Sequence, residues 1–352
     1  MKEPPGFLAA CRRQPVRCTP IWIMRQAGRY LPEYRAIRSR IPFLDLCKDP
    51  ALAAEVTLQP VRLLGVDAAI LFSDILIPLE AMGVRLRFTP APLLENPVRD
   101  RKEIEALRIP DPVGDLSFVL DTIRILRREL GGTPLIGFCG APFTLACYLT
   151  EGKGSRDFAT VKKMMFSEPE LFRALMEKLT AMSIAYLRAQ IEAGVQAVQI
   201  FDTWAGILAP ADYGEFVLPH LRALIRGLDR GATPVILFIK GVGGLLELIR
   251  DCGADVLALD WMVSLERARR LLGTEIAVQG NLDPALLLTP KPRIEAAVQR
   301  ILEENGGRPG HIFNLGHGIL PATPVDHVRF LVETVHRLSA AEIAWPLTKG
   351  KE

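Results

Sequence analysis

The feature that most constrains this chain is a repeat of character rather than of residues: short, mostly continuous apolar runs, each separated from the next by turn signals or helical patterning. Eight such runs occur, at residues 20–26, 68–74, 134–140, 197–202, 234–240, 256–260, 276–280 and 311–316. A strand exposed on one face alternates apolar with polar residues, whereas a continuous run suits a parallel strand covered on both faces. The intervals carry helix patterns. Between the third and fourth runs, Ser167 with Glu170 reads as a capping box, Leu171, Leu175, Leu179, Met182 and Tyr186 line one face, and Gly194 ends the segment. A second pattern runs from Ser264 through Leu265, Ala268, Leu271 and Leu272 to Gly273.

Eight strands alternating with helices point to a single (β/α)8 TIM-type barrel over residues 1–352, with a short irregular N-terminal segment, 1–18. The alternative is an open doubly wound sheet. The barrel is preferred because no GxGxxG follows the first run and because polar residues stand at the C-terminal end of nearly every run: Arg25 and Gln26, Asp74, Thr203, Lys240, Asp260, Asn281 and His317. That end is where barrel enzymes place their chemistry. Residues 84–115, rich in proline and dispersed charge, read as a long insertion between the second and third runs.

Composition narrows the function by exclusion. With 43 basic against 40 acidic residues the formal charge is +3, so no global field draws in nucleic acid or an anionic membrane. The apolar patch near residues 7–10 is too short for a signal peptide, and no stretch approaches the roughly 20 apolar residues of a membrane span. A cytoplasmic location is expected. Six scattered cysteines without a CxxC pair suit reduced thiols. The five histidines form no HExxH or His-x-Cys pattern, and there is no GxSxG elbow, so neither zinc nor a nucleophilic triad is expected.

Several stretches have residues suited to chemistry. In Met24-Arg25-Gln26-Ala27-Gly28-Arg29-Tyr30-Leu31-Pro32-Glu33 a glycine lets two arginines four apart turn toward one anion, and guanidinium forks hold carboxylates with paired hydrogen bonds; the alternative is a solvated basic loop. Asp74 ends an apolar strand, either as a helix cap or as a buried acceptor for a ligand N–H or cation. Gly140-Ala141-Pro142-Phe143-Thr144, with Tyr148 a turn further on, either admits a flat ligand or simply starts a helix. Lys240-Gly241-Val242-Gly243-Gly244 suits a Schiff-base lysine or a glycine-rich anion cradle. Gly316-His317-Gly318 presents an imidazole between two glycines, as a site residue or as an exposed hinge.

These stretches, with Phe72-Ser73-Asp74-Ile75, Phe201-Asp202-Thr203-Trp204-Ala205-Gly206, Leu259-Asp260-Trp261 and Gln279-Gly280-Asn281-Leu282-Asp283-Pro284, closely resemble the uroporphyrinogen decarboxylase family over about residues 15–340. The resemblance implies a cofactor-free (β/α)8 enzyme, usually a homodimer, that removes CO2 from the four acetates of uroporphyrinogen III to give coproporphyrinogen III in haem biosynthesis. It assigns catalytic roles to Asp74, Arg25, Arg29, Tyr148 and His317, and substrate binding to Arg25, Gln26, Ala27, Gly28, Arg29, Asp74, Tyr148, Thr203 and His317. Thr203 stands where the family more often has serine, keeping the hydroxyl. Two other functions compete: a corrinoid-linked methyltransferase, which needs zinc-binding His-x-Cys ligands where this chain reads Leu259-Asp260-Trp261-Met262, and a tetrapyrrole-binding barrel without turnover.

Overall fold

Every one of the apolar runs becomes part of one curled parallel sheet. The structure, a computed structural model, describes residues 5–89 and 91–348, with side chains through residue 340. Its strands in chain order are β1 (Ala69–Ile70), β2 (Leu86–Phe88), β3 (Pro92–Leu94), β4 (Leu135–Gly140), β5 (Ala197–Asp202), β6 (Val235–Ile239), β7 (Val256–Ala258), β8 (Ala277–Gln279) and β9 (His311–Ile312). Seven of these hydrogen-bond in the order β1-β4-β5-β6-β7-β8-β9, each pair parallel. All residues of β4 and β6 are buried, as continuous apolar runs require.

The first run supplies the eighth stave. Phe313 N–H donates to Pro20 O at 2.8 Å and Trp22 N–H to Phe313 O at 3.4 Å, while on the other side Asp67 N–H donates to Ile21 O at 2.8 Å. The barrel is thus closed between its first and last strands, with Ile21 bridging Phe313 in parallel. Inside, the fully buried Trp22 donates its indole N–H to Gln279 Oε1 at 2.9 Å, and Gln279 Nε2 donates to Gln199 Oε1 at 3.1 Å. This hydrogen-bonded chain ends on Gln199, whose buried Nε2 has no partner among the described residues.

Around the staves run the expected helices, with three differences from the sequence reading. Ser167 caps nothing: it is the last residue of the helix Ala159–Ser167, and the long helix Pro169–Ala193 begins after Glu168 without a side-chain cap. Pro169 takes the first helical position, where its missing N–H costs nothing. Leu171, Leu175, Leu179, Met182 and Tyr186 are buried as expected, and Gly194, at φ 115°, ends the helix. The N-terminal segment is not irregular: Gly6–Cys11 form a helix whose Phe7 to Cys11 are buried, and Arg12 Nη2 donates to Ala232 O beneath the start of β6 at 3.2 Å. Residues 1–4 lie outside the described part. The insertion 84–115 is built, holding the antiparallel hairpin β2–β3 and the helices Arg101–Ala106 and Pro112–Asp115, the first with a complete capping box between Asp100 and Glu103. The helix Leu265–Leu272 starts on Ser264, whose Oγ accepts from Arg267 N–H at 3.2 Å.

Candidate active site

The C-terminal ends of the staves converge on one mouth. Arg25, following the first stave, adopts φ 63°, a left-handed conformation that costs a non-glycine residue about 1–2 kcal/mol and is retained where the surroundings demand it. Two glycines make the demand possible. A Cβ on Gly28 would lie 2.7 Å from Arg25 O, and one on Gly318 would lie 2.4 Å from Arg25 Cδ. The stem of Arg25 therefore lies along the Gly316-His317-Gly318 segment, and the first and last strand ends are interlocked. A Cβ on Gly316 would meet Trp261 N at 2.5 Å, so this glycine serves close backbone packing and not a hinge.

The charge of Arg25 reaches three of the expected site residues. It draws down the pKa values of Asp74, Tyr148 and His317, so its charge is felt at all three. Burial dominates each shift. It raises Asp74 above the ordinary aspartate range, against the opposing pull of Leu76 N–H and Arg25. Tyr148 is raised by burial and by Asp74. His317 is lowered to about 4 by burial, then by Arg25 and Lys240, so its imidazole is neutral near pH 7. Its ring stands edge-on to Phe238 at 5.8 Å between centroids.

Asp74 does not cap a helix, since Ile77–Ala81 begins after Leu76 without a side-chain cap. Its Oδ1 accepts from Leu76 N–H at 2.9 Å, closing a turn ahead of the helix Ile77–Ala81, while Oδ2 makes no hydrogen bond among the described residues. Arg29 is exposed, and its charge is felt at Tyr34, outside the Arg25 cluster. Ala27, Gly28 and Thr203 are half-buried, Thr203 directly after β5. Gln26 points elsewhere: it is fully buried, its Oε1 accepting from Ile23 N–H and its Nε2 donating to Ala68 O, both at 3.1 Å.

Other strand-end polar residues also turn inward. Asp260 Oδ2 accepts from Gly241 and Val242 N–H, and its Oδ1 from Met262 N–H at 2.8 Å, so two amides of the glycine-rich loop are already occupied. Asn281 Nδ2 donates to Asp260 O and Val263 O at 2.8 and 2.6 Å. A Cβ on Gly140 would meet Leu145 Cδ2 at 2.7 Å, so this glycine permits close packing, and Pro142 opens the helix Pro142–Glu151.

One connection was not visible in the sequence. Thr144 Oγ1 donates to Asp202 Oδ1 at 2.8 Å and accepts from Trp204 N–H at 3.1 Å, joining the motif after β4 to the motif ending β5. The Trp204 ring then packs edge-on to Tyr148 at 6.1 Å. Asp202 is fully buried, with Oδ2 unpartnered, and burial raises it to about 7 against the opposing Thr144 hydrogen bonds. Alternation along β5 could have signalled this, because Asp202 and Thr203 must face opposite ways.

Among the described residues Arg25, Arg29 and Lys240 make no ion pair and donate no side-chain hydrogen bond, whereas Arg108 is held by Asp115 at 2.7 Å and Arg230 by Asp255. Two of these open cations, Arg25 and Lys240, act on one neutral imidazole, and such unpaired charges suit an anionic ligand.

A family model described as uroporphyrinogen decarboxylase (URO-D) matches residues 3–338. A uroporphyrinogen decarboxylase from Geobacter metallireducens is 62% identical over 334 residues, covering 95% of this chain and 98% of the relative. One from Syntrophotalea carbinolica is 60% identical over 340 residues, covering 96% and 99%. Among solved structures, a methyltransferase from Methanosarcina mazei superposes with a TM-score of 0.81 at 25% identity, covering 95% of this chain and 98% of its own.

Proposed function

The chain belongs to the uroporphyrinogen decarboxylase family, and from that membership we propose that the Arg25 mouth is where its tetrapyrrole substrate is bound and decarboxylated. The activity is that of a carboxy-lyase of porphyrin biosynthesis, removing CO2 from uroporphyrinogen. The observation that supports this location is the Arg25 guanidinium, unpaired and acting at once on Asp74, Tyr148 and His317.

Breaking the bond between an acetate CH2 and its CO2 leaves an electron pair on carbon, which needs a sink. A pyrrole protonated on a ring carbon is that sink: the pair moves into the cationic ring, CO2 departs, and the exocyclic CH2 then takes a proton to become CH3 as the ring carbon gives its proton up. The net change for each acetate is one proton consumed and one CO2 released. The substrate carries its own electron acceptor, in keeping with a cofactor-free reaction.

In this scheme Asp74 Oδ2 accepts from the inward pyrrole N–H groups, and its charge stabilises the cation as it forms. Arg25 and Arg29 hold substrate carboxylates. Arginine stays protonated well above neutral pH and is a reluctant acid, so its role is charge stabilisation. His317, neutral at working pH, contributes a hydrogen bond from its ring, while Tyr148, His317 or water relays protons. Ala27, Gly28 and Thr203 line the bound ring, while Gln26 positions the loop, its side chain being committed to Ile23 and Ala68 and its backbone to Ile23 O and the Tyr30 hydroxyl. The enzyme is expected to work as a cytoplasmic homodimer, the compartment being supported by six free cysteines.

Sequence favours this chemistry over the methyltransferase reading, since Leu259-Asp260-Trp261-Met262 has no thiol or imidazole where that chemistry needs its ligands. Incubating the purified protein with uroporphyrinogen III and following carboxylate number by chromatography should show loss of four carboxylates. Substrate bound but unchanged would leave a binding barrel instead.

A further inference from the structure

We infer that Lys240 is a further substrate-binding residue, whose ammonium holds one carboxylate of the tetrapyrrole across the barrel mouth from Arg25. Lys240 directly follows β6, the fifth of the eight staves, and Arg25 follows the first. In a closed eight-stave barrel the first and fifth stand opposite each other. Both charges act on the ring of His317, which packs edge-on to Phe238 of β6 at 5.8 Å between centroids. Lys240 is half-buried, and among the described residues no carboxylate or carbonyl receives its ammonium.

The other readings of this lysine are excluded by its surroundings. Asp260, the acid packed against this loop, spends its oxygens on the amides of Gly241, Val242 and Met262. The first two amides of the loop are therefore not free to cradle an anion, which leaves the ammonium as the group here with a full charge to offer. A Schiff base would need an aldehyde or ketone, which a porphyrinogen does not contain. Arg25 is exposed and Lys240 half-buried, so both charges are open to solvent, and a bound polycarboxylate gives each an opposite charge to meet. Lysine suits the task as a point charge on a long stem, able to follow a flexible carboxylate arm.

This inference rests on the decarboxylase reading, and one set of measurements separates the two. Lys240→Met and Lys240→Arg are compared with the parent on porphyrinogens bearing eight, seven, six and five carboxylates, with thermal unfolding as the folding control. The expected result is a loss of about 10-fold or more in kcat/KM for Lys240→Met, carried mainly by KM, the scale of one charge-assisted hydrogen bond, with most of it restored in Lys240→Arg. An equal deficit on all four substrates identifies the held group as a propionate, which survives the reaction. A deficit confined to the more carboxylated substrates identifies an acetate. Parent-like kinetics in Lys240→Met, equal losses in the Met and Arg variants, or collapse of the Met variant's Tm would each overturn the assignment. Absence of turnover in the parent would count against the decarboxylase reading itself.

Discussion

At Arg25 and Arg29 what matters is shape as much as charge. A lysine keeps the charge but loses the planar fork, so Arg25→Lys should lower kcat/KM by about 10-fold or more; steady-state kinetics near the parent's for both Lys variants would return the pair to a solvated loop. Asp74 makes a sharper case. Burial already disfavours its ionised form, so the free protein bears a cost that bound N–H donors relieve. Asp74→Asn keeps an acceptor for Leu76 N–H while removing the charge. It should leave Tm equal or higher, bind product passably, and lose about 10²-fold in kcat. Calorimetry beside steady-state rates checks this, and a large loss of stability would make Asp74 a structural cap. His317 should titrate near pH 4 by NMR, well below the ordinary histidine range; a midpoint above 6 would put the ring in water.

Among the elements, the join between the β4 and β5 ends decides how Tyr148 is held. Thr144→Val removes the hydroxyl serving both Asp202 and Trp204, leaving buried groups unpaired at about 1–3 kcal/mol, visible as a lower urea midpoint and reduced turnover. Asp202 adds a pH signature. Its folded pKa, about 7, lies above that of the unfolded chain, near 4, so between these values the folded chain keeps a proton the unfolded chain releases. Its contribution to stability is therefore complete below about pH 4 and lost as pH rises toward 7. His311 and His317, both lowered to about 4, act in the opposite sense, so the test is Asp202→Asn against the parent at pH 5 and 8: the variant should lack this component. The staves were legible in the sequence because burial on both faces leaves an unbroken apolar run. The Ser167 box was not, because Pro169 redefined the helix start. Asp74, Tyr148 and His317 were placed by motif, whereas Gln26, Asp260 and Asn281 looked equally available: only three-dimensional contacts show that their polar groups are spent on neighbouring backbone. The β2–β3 hairpin was hidden by short strands and prolines.

For the whole molecule, the first stave closes the barrel by pairing with the last. Among the described residues no group of three or more His, Cys, Asp or Glu side chains is arranged to hold a metal ion. Activity should survive dialysis against a strong chelator, and the active protein should carry no flavin, pyridoxal or haem absorbance; stoichiometric zinc whose removal abolished turnover would overturn this. The helix Gly6–Cys11 adds buried apolar contact beneath the strands, at the end away from the chemistry, where barrels invest in stability. Closure has its own consequence on the ribosome. Ile21 leaves the exit tunnel early, yet Phe313, which it pairs with, is synthesised roughly 290 residues later, a delay of about 15–60 s at ordinary translation rates. During that interval the nascent chain has an unpaired apolar edge at each end of a growing, open sheet, and its safe passage depends on how well it is shielded until the last stave arrives.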